Sequence, residues 1–140
     1  FSTLDGVKRE LKNEDLMICD DKTPLCIAGV LGGESSEVKN KTKNIFLESA
    51  YFNPKLVRKS SQNHQISTDA SFRFERGTDP NITVYSLKIA AKMIKELSGG
   101  KIASKIIDIY PKKIKNNDIV FILSYTKILN EKFSKQSLMK

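Results

Sequence analysis

The sharpest constraint on folding lies between residues 80 and 98, "PNITVYSLKIAAKMIKELS". Leu87, Ala90, Ala91, Ile94 and Leu97 recur at helical spacing and make one apolar face, while Lys88, Lys92 and Lys95 take the other side. Asp79-Pro80 supplies a start and Gly99-Gly100 a stop, since proline suits the first helical turn and glycine the left-handed residue after the last. The segments before this helix read as strands. "GVKREL", "DLMICDD" and "TPLCIAGV" are divided by "KNE" and by the turn signal "DDKTP". Residues 31–44 form a polar loop with a Gly-Gly bend. "NIFLESAYF" (44–52) alternates Phe46, Glu48, Ala50 and Phe52 with Ile45, Leu47, Ser49 and Tyr51, which predicts a strand buried on both sides.

Asn53-Pro54 begins a shorter helix, with Asn as cap and Pro at the first helical position, running to about Gln62. "KIASKIIDIYP" reads as a strand closed by Pro111. Together these elements predict an α+β fold: a layered, β-sandwich-like core carrying the 80–98 helix, with the 53–62 helix beside it. "IVFILSYTKILNEKF" reads as a strand leading into a helix, so 113–140 is expected to begin a further domain after one spanning 1–112.

The chain has 140 residues, no run of about 20 apolar residues, and an opening "FSTLDGVKRE" without Met or a secretory leader. It reads as a piece of a larger protein. Residues 101–140 hold 9 of the 24 basic and 3 of the 16 acidic side chains. That tail suits a phosphate-binding patch, although lysine runs such as "PKKIKNN" read more simply as solvated faces. Cys19 and Cys26, even with His64, fall short of a four-ligand zinc site, and no metal is expected. Both lie in apolar runs as small hydrophobes, which suits a reduced, cytosolic setting.

The chemistry is concentrated in "NHQISTDASFRFERGTDPN" (63–81) and around Glu48. A carboxylate within an apolar strand needs a partner. Glu48 therefore either pairs with Arg73 or Arg76 or faces a pocket where a ligand can donate to it. "GVLGGESS" is a backbone nest for an anion or a plain tight turn; it lacks the Gly-Lys-Ser/Thr ending of a Walker loop. His64, Asp69 and Ser67 or Ser71 invite a triad, but no strained nucleophile turn accompanies them. "STDAS" reads as a turn whose small side chains let a ligand approach the backbone. Arg73, Glu75, Arg76 and Asp79 read as a charge network fixing this loop against the following helix.

Three motifs in register, "AGVLGGESSEV" (28–38), "NIFLESAYFNP" (44–54) and "ISTDASFRFERGTDP" (66–80), with "TLDG" near the start, resemble the editing, tRNA-binding module of the bacterial phenylalanyl-tRNA synthetase beta subunit. The resemblance covers roughly residues 1–112, and the tail resembles the opening of the next beta-subunit module. It implies a cytoplasmic hydrolase pocket for mischarged Tyr-tRNA(Phe), lined by Gly32, Glu48, Thr68 and Ala70. Glu48 would recognise the tyrosine hydroxyl, Thr68 and Ala70 would bound the amino-acid and ester end, and Thr68 would be the catalytic residue, with pocket hydroxyls and backbone positioning the attacking water. The implied partners are the acceptor end of tRNA(Phe) and the alpha subunit of a heterotetramer, two alpha and two beta. ATP and Mg2+ belong to the synthetic site on alpha. In the family the pocket also draws an asparagine, a proline and a histidine from sequence preceding residue 1, so little editing is expected of the isolated chain. The residues alone also admit a non-catalytic RNA-binding or scaffold module, or a free-standing trans-editing relative.

Overall fold

Asp20 shows how the first turn is made. Its carboxylate accepts from the backbone amides of Lys22 and Thr23, at 2.8 and 2.6 Å, so the chain reverses within "DDKT". On either side lie β1 (Met17–Cys19) and β2 (Pro24–Ile27), antiparallel, with Ile18 opposite Cys26. β3 (Leu31–Gly32) returns along β2, giving a three-stranded sheet in the order β1-β2-β3. A computed structural model describes residues 1–115, which comprise a unit Phe1–Asp108 and the first residues of a second unit, Ile109–Lys140. The strand and helix expected within 116–140 lie outside the described residues.

The sequence "GVKREL" is not a strand. Gly6 (φ +75°) turns the N-terminal segment into a hairpin joined by one bridge, Ser2 to Lys8, and a second bridge, Thr3 to Gly33, docks it beside β3. Thr3 is fully buried, donating its hydroxyl to Asp5 at 2.6 Å, and Arg9 holds Asp5 with two nitrogens at 2.8 Å each. That bidentate pair and the Thr3 hydrogen bond hold the Asp5 carboxyl well below the usual range.

α1 (Pro54–Asn63) begins where the sequence predicts, with Asn53 accepting from the Lys55 amide at 3.0 Å. α2 (Asp69–Phe74) was expected as a turn. Thr68 and Ser71 convert it to a helix through a reciprocal cap, each side chain accepting from the other's backbone amide, at 3.0 and 2.9 Å. The hydroxyls that disfavour a helix interior stabilise its first turn. α3 (Thr83–Ser98) starts later than Asp79-Pro80 suggested, because the Asp79 carboxylate turns back onto the Asn81 amide at 2.9 Å. Gly99 ends it at φ +68°, as expected.

The core is small. Ile27, Val30, Val57 and Ile66 are buried together, with Met17, Phe52 and Phe74 packed against them. Each such side chain contributes roughly 1.5–3 kcal/mol on burial. The α+β class expected from the pattern is the class observed. Residues 44–52 form no ladder, and Phe46 is 93% exposed. Residues 101–111 likewise form none. Alternation marks which side chains share a face, whereas a strand also needs a neighbour's backbone donors and acceptors. On α3, Leu87, Ala90, Ala91 and Ile94 are half-buried, but Leu97, grouped with them by spacing, is 86% exposed.

Candidate functional site

Four separate stretches of chain enclose an open cavity of about 360 Å³. β1 and β2 contribute Ile18 and Cys26, and the bend between β2 and β3 contributes Gly29 and Val30. Glu48, Ser49, Ala50 and Phe52 form a second side, and Ala70 and Phe74 of α2 form the third. Phe52 and Phe74 meet with ring centroids 5.1 Å apart and planes tilted by 57°, within the favourable range of aromatic contact distances.

Gly29 is where the backbone must come close. Its φ is +68°, and a methyl group there would lie 3.0 Å from Phe52, 3.2 Å from Val57 and 3.3 Å from Phe74. A side chain would press against all three of these aromatic and core supports of the cavity. Gly32, the glycine that the resemblance implies for the pocket, lies on β3, where an added methyl would meet Leu4 at 2.9 Å. It is not among the lining residues. The sequence carries a signal for Gly29 that spacing arguments passed over: a lone glycine inside the apolar run "CIAGV" marks close backbone approach.

Glu48 makes no ion pair among the described residues. Arg73 is 3.9 Å from Asp69 and Arg76 is 2.7 Å from Glu75, so neither arginine reaches it. Partial burial raises the Glu48 carboxyl above its ordinary value. Burial, and then the charge of Glu48, also raise the Cys26 thiol. The cavity therefore presents one unpaired acid among mostly apolar walls.

Thr68 and Ala70 sit at the start of α2, but only Ala70 lines the cavity. The Thr68 hydroxyl donates to the Val30 carbonyl at 2.7 Å while accepting from Ser71. It thereby ties α2 to the bend carrying Gly29, and its single hydrogen is committed. The charge network of residues 73–79 is local rather than aimed at the next helix. Arg73 donates to the Asp69 carbonyl at 3.0 Å, Arg76 to the Phe72 carbonyl at 2.8 Å, and the Arg76 guanidinium stacks 3.6 Å above the Phe72 ring. His64 faces Asp15 rather than Asp69 or the nearby serines, so no triad forms. Among the described residues no cluster of three or more His, Cys, Asp or Glu is placed to hold a metal, and no helix is long and apolar enough to cross a membrane.

An α+β unit whose cavity lies between a small sheet, a capped helix and an acid-bearing segment defines the class: residues 1–99 match the B3/4 domain, and the chain belongs to that family. The chain is similar to phenylalanine–tRNA ligase beta subunits. It is 53% identical over 128 residues to that of Bacteroides fragilis, covering 91% of this chain and 15% of the relative. The Geobacter metallireducens subunit is 46% identical over 121 residues, covering 86% and 15%. The Protochlamydia amoebophila subunit is 53% identical over 108 residues, covering 77% and 14%. The chain thus spans about 15% of the length of the curated relatives it matches.

Proposed function

We propose that this chain is part of the beta subunit of a cytoplasmic phenylalanine–tRNA ligase, and that its cavity is a wall of an editing site that hydrolyses Tyr-tRNA(Phe). The observation that carries the reading is Glu48, an acid without a basic partner among the described residues, lining a cavity walled by Ile18, Val30, Phe52 and Phe74. An aromatic ring fits such walls, and an acid at their edge accepts a phenolic hydrogen. Phenylalanine would leave that acceptor unpaired, which costs roughly 1–3 kcal/mol. A synthetic pocket built for phenylalanine rejects an added hydroxyl by only about 100-fold, so a second sieve that selects for the hydroxyl completes the discrimination.

The reaction is attack of water on the aminoacyl ester, which requires no protein nucleophile. Ala70 leaves the backbone at the start of α2 open to the ester end. Thr68 acts by holding that corner against Val30, since its hydrogen is already donated there. Gly29, rather than Gly32, supplies the close backbone wall. The acceptor end of tRNA(Phe) and the alpha subunit are the partners, with ATP and Mg2+ used at the synthetic site on alpha.

The test is Glu48→Ala in the assembled ligase. Phe-tRNA(Phe) formation is expected to stay intact while Tyr-tRNA(Phe) accumulates. Unchanged Tyr-tRNA(Phe) hydrolysis removes the role of Glu48. If tRNA affinity also falls steeply with salt while deacylation is indifferent to Glu48, the module is an RNA-binding one instead.

A further inference from the structure

Three polar side chains outside the cavity lining are buried together. Asp15, in the segment entering β1, accepts from Ser60 Oγ at 2.6 Å and from the Lys12 amide at 2.7 Å, and its third contact is His64 Nε2 at 2.6 Å. The side chains of His64 and Asp15 are only 5% and 1% exposed. Desolvation opposes charge on Asp15, but the amide, the hydroxyl and the imidazole outweigh it and hold the carboxyl below its ordinary range. An ionised carboxylate only accepts, so Nε2 carries the proton. Ser60 of α1 and His64, the cap that ends it, are four residues apart and so on one face, which lets both reach a single carboxylate.

The two ends of this cluster lead to different walls of the cavity. From Asp15 the chain passes Leu16, whose carbonyl accepts from Ala28 at 2.8 Å, into β1 and the wall made by Ile18 and Cys26. From His64, the cap of α1, it passes Gln65 in the left-handed region (φ +53°) to Ile66. Ile66 is tied back to Ser61 by its amide at 2.9 Å and by the Ser61 hydroxyl on its carbonyl. Two residues later Thr68 opens α2 and the wall made by Ala70 and Phe74. The neighbouring Lys59–Glu14 pair, 2.8 Å apart, spans the same junction but is exposed and screened.

We propose that Asp15, Ser60 and His64 form a clasp that sets the separation of the two walls of the cavity, with His64 a positioning residue for the molecule bound there. The clasp follows from the geometry; its effect on deacylation rests on the function proposed above.

Cys26 gives a reporter inside one wall. With Cys19→Ser removing the exposed thiol, the native-state reaction of Cys26 with an aromatic disulfide reagent is measured in the parent, His64→Ala and His64→Gln. Loss of the clasp is expected to raise the Cys26 rate about tenfold or more by local opening, with a cooperative unfolding transition retained. The glutamine amide nitrogen can donate where Nε2 does, so His64→Gln should restore the slow rate. An unchanged rate in a folded His64→Ala variant, or equal rates in the alanine and glutamine variants, overturns the proposal. Should His64→Ala fail to fold, Ser60→Ala removes one donor with little loss of packing, and the same rate criterion applies. In the assembled ligase, His64→Ala should lower kcat for Tyr-tRNA(Phe) deacylation and leave phenylalanine charging intact. A thiol response without a deacylation effect upholds the clasp and counts against the editing reading; no thiol response sinks the clasp whatever the deacylation result.

Discussion

Gly29→Ala tests the close approach on which the cavity depends, and Gly6→Ala is its internal control. Both glycines have left-handed backbones, φ +68° and +75°, where a side chain costs roughly 1–2 kcal/mol. At Gly6 an added methyl meets nothing within 4 Å, so that strain should be the whole effect. At Gly29 the same methyl meets Phe52, Val57 and Phe74 at 3.0–3.3 Å. Val57 is 1% exposed, and the two rings already touch each other, so none can retreat freely. Overpacking of this kind adds about 1–3 kcal/mol. Gly29→Ala should therefore lose about 2–5 kcal/mol in all, a large part of the roughly 5–15 kcal/mol that stabilises a typical domain. Urea denaturation of both variants, followed by far-UV circular dichroism, reads the difference. Equal losses in the two would refute the argument, because backbone strain alone would then account for Gly29.

Three further outcomes follow from other parts of the fold. Gln65 is the one non-glycine residue with positive φ among those described, so Gln65→Gly should relieve about 1–2 kcal/mol of strain, less roughly 0.5–1 for glycine's freedom when unfolded; a destabilised variant in the same titration contradicts this. Thr68→Ala removes a helix cap and the hydrogen bond to Val30 and should cost about 1–2 kcal/mol, with Thr68→Ser recovering most of it. Burial raises the Glu48 carboxyl, so the folded chain holds that proton to higher pH than the unfolded chain and stability falls as pH rises through the raised value. Glu48→Gln should accordingly match the parent in acid and grow relatively more stable towards neutral pH; a constant difference across the range would show that Glu48 is not desolvated.

Local signals could be read directly. Asn53-Pro54 opens α1, Gly99 closes α3 and Asp20 turns β1 into β2, because each acts through hydrogen bonds or steric limits within a few residues. The resemblance carried by residues 28–38, 44–54 and 66–80 points to phenylalanine–tRNA ligase beta subunits, the proteins to which the chain is 53% and 46% identical. Glu48 drew attention because an acid in an apolar alternation is costly wherever it lies. Thr68 and Ser71 were visible as the hydroxyls of a turn, though not as the reciprocal cap that starts a helix.

Other features had no local signature. Periodicity placed strands at 44–52 and 101–111, but hydrogen-bond partners for a ladder come from elsewhere in the chain. Gly29 and Gly32 stand three residues apart in one motif; their roles separate only because Phe52, Val57 and Phe74 close over Gly29 while Leu4 covers Gly32. Asp15 and His64, 49 positions apart, meet because α1 packs its Ser60–His64 face against the approach to β1. A cap or turn is decided by neighbours joined through covalent geometry. A cavity wall or a buried pair is decided by which distant surfaces exclude water together, and that depends on every contact in the fold at once.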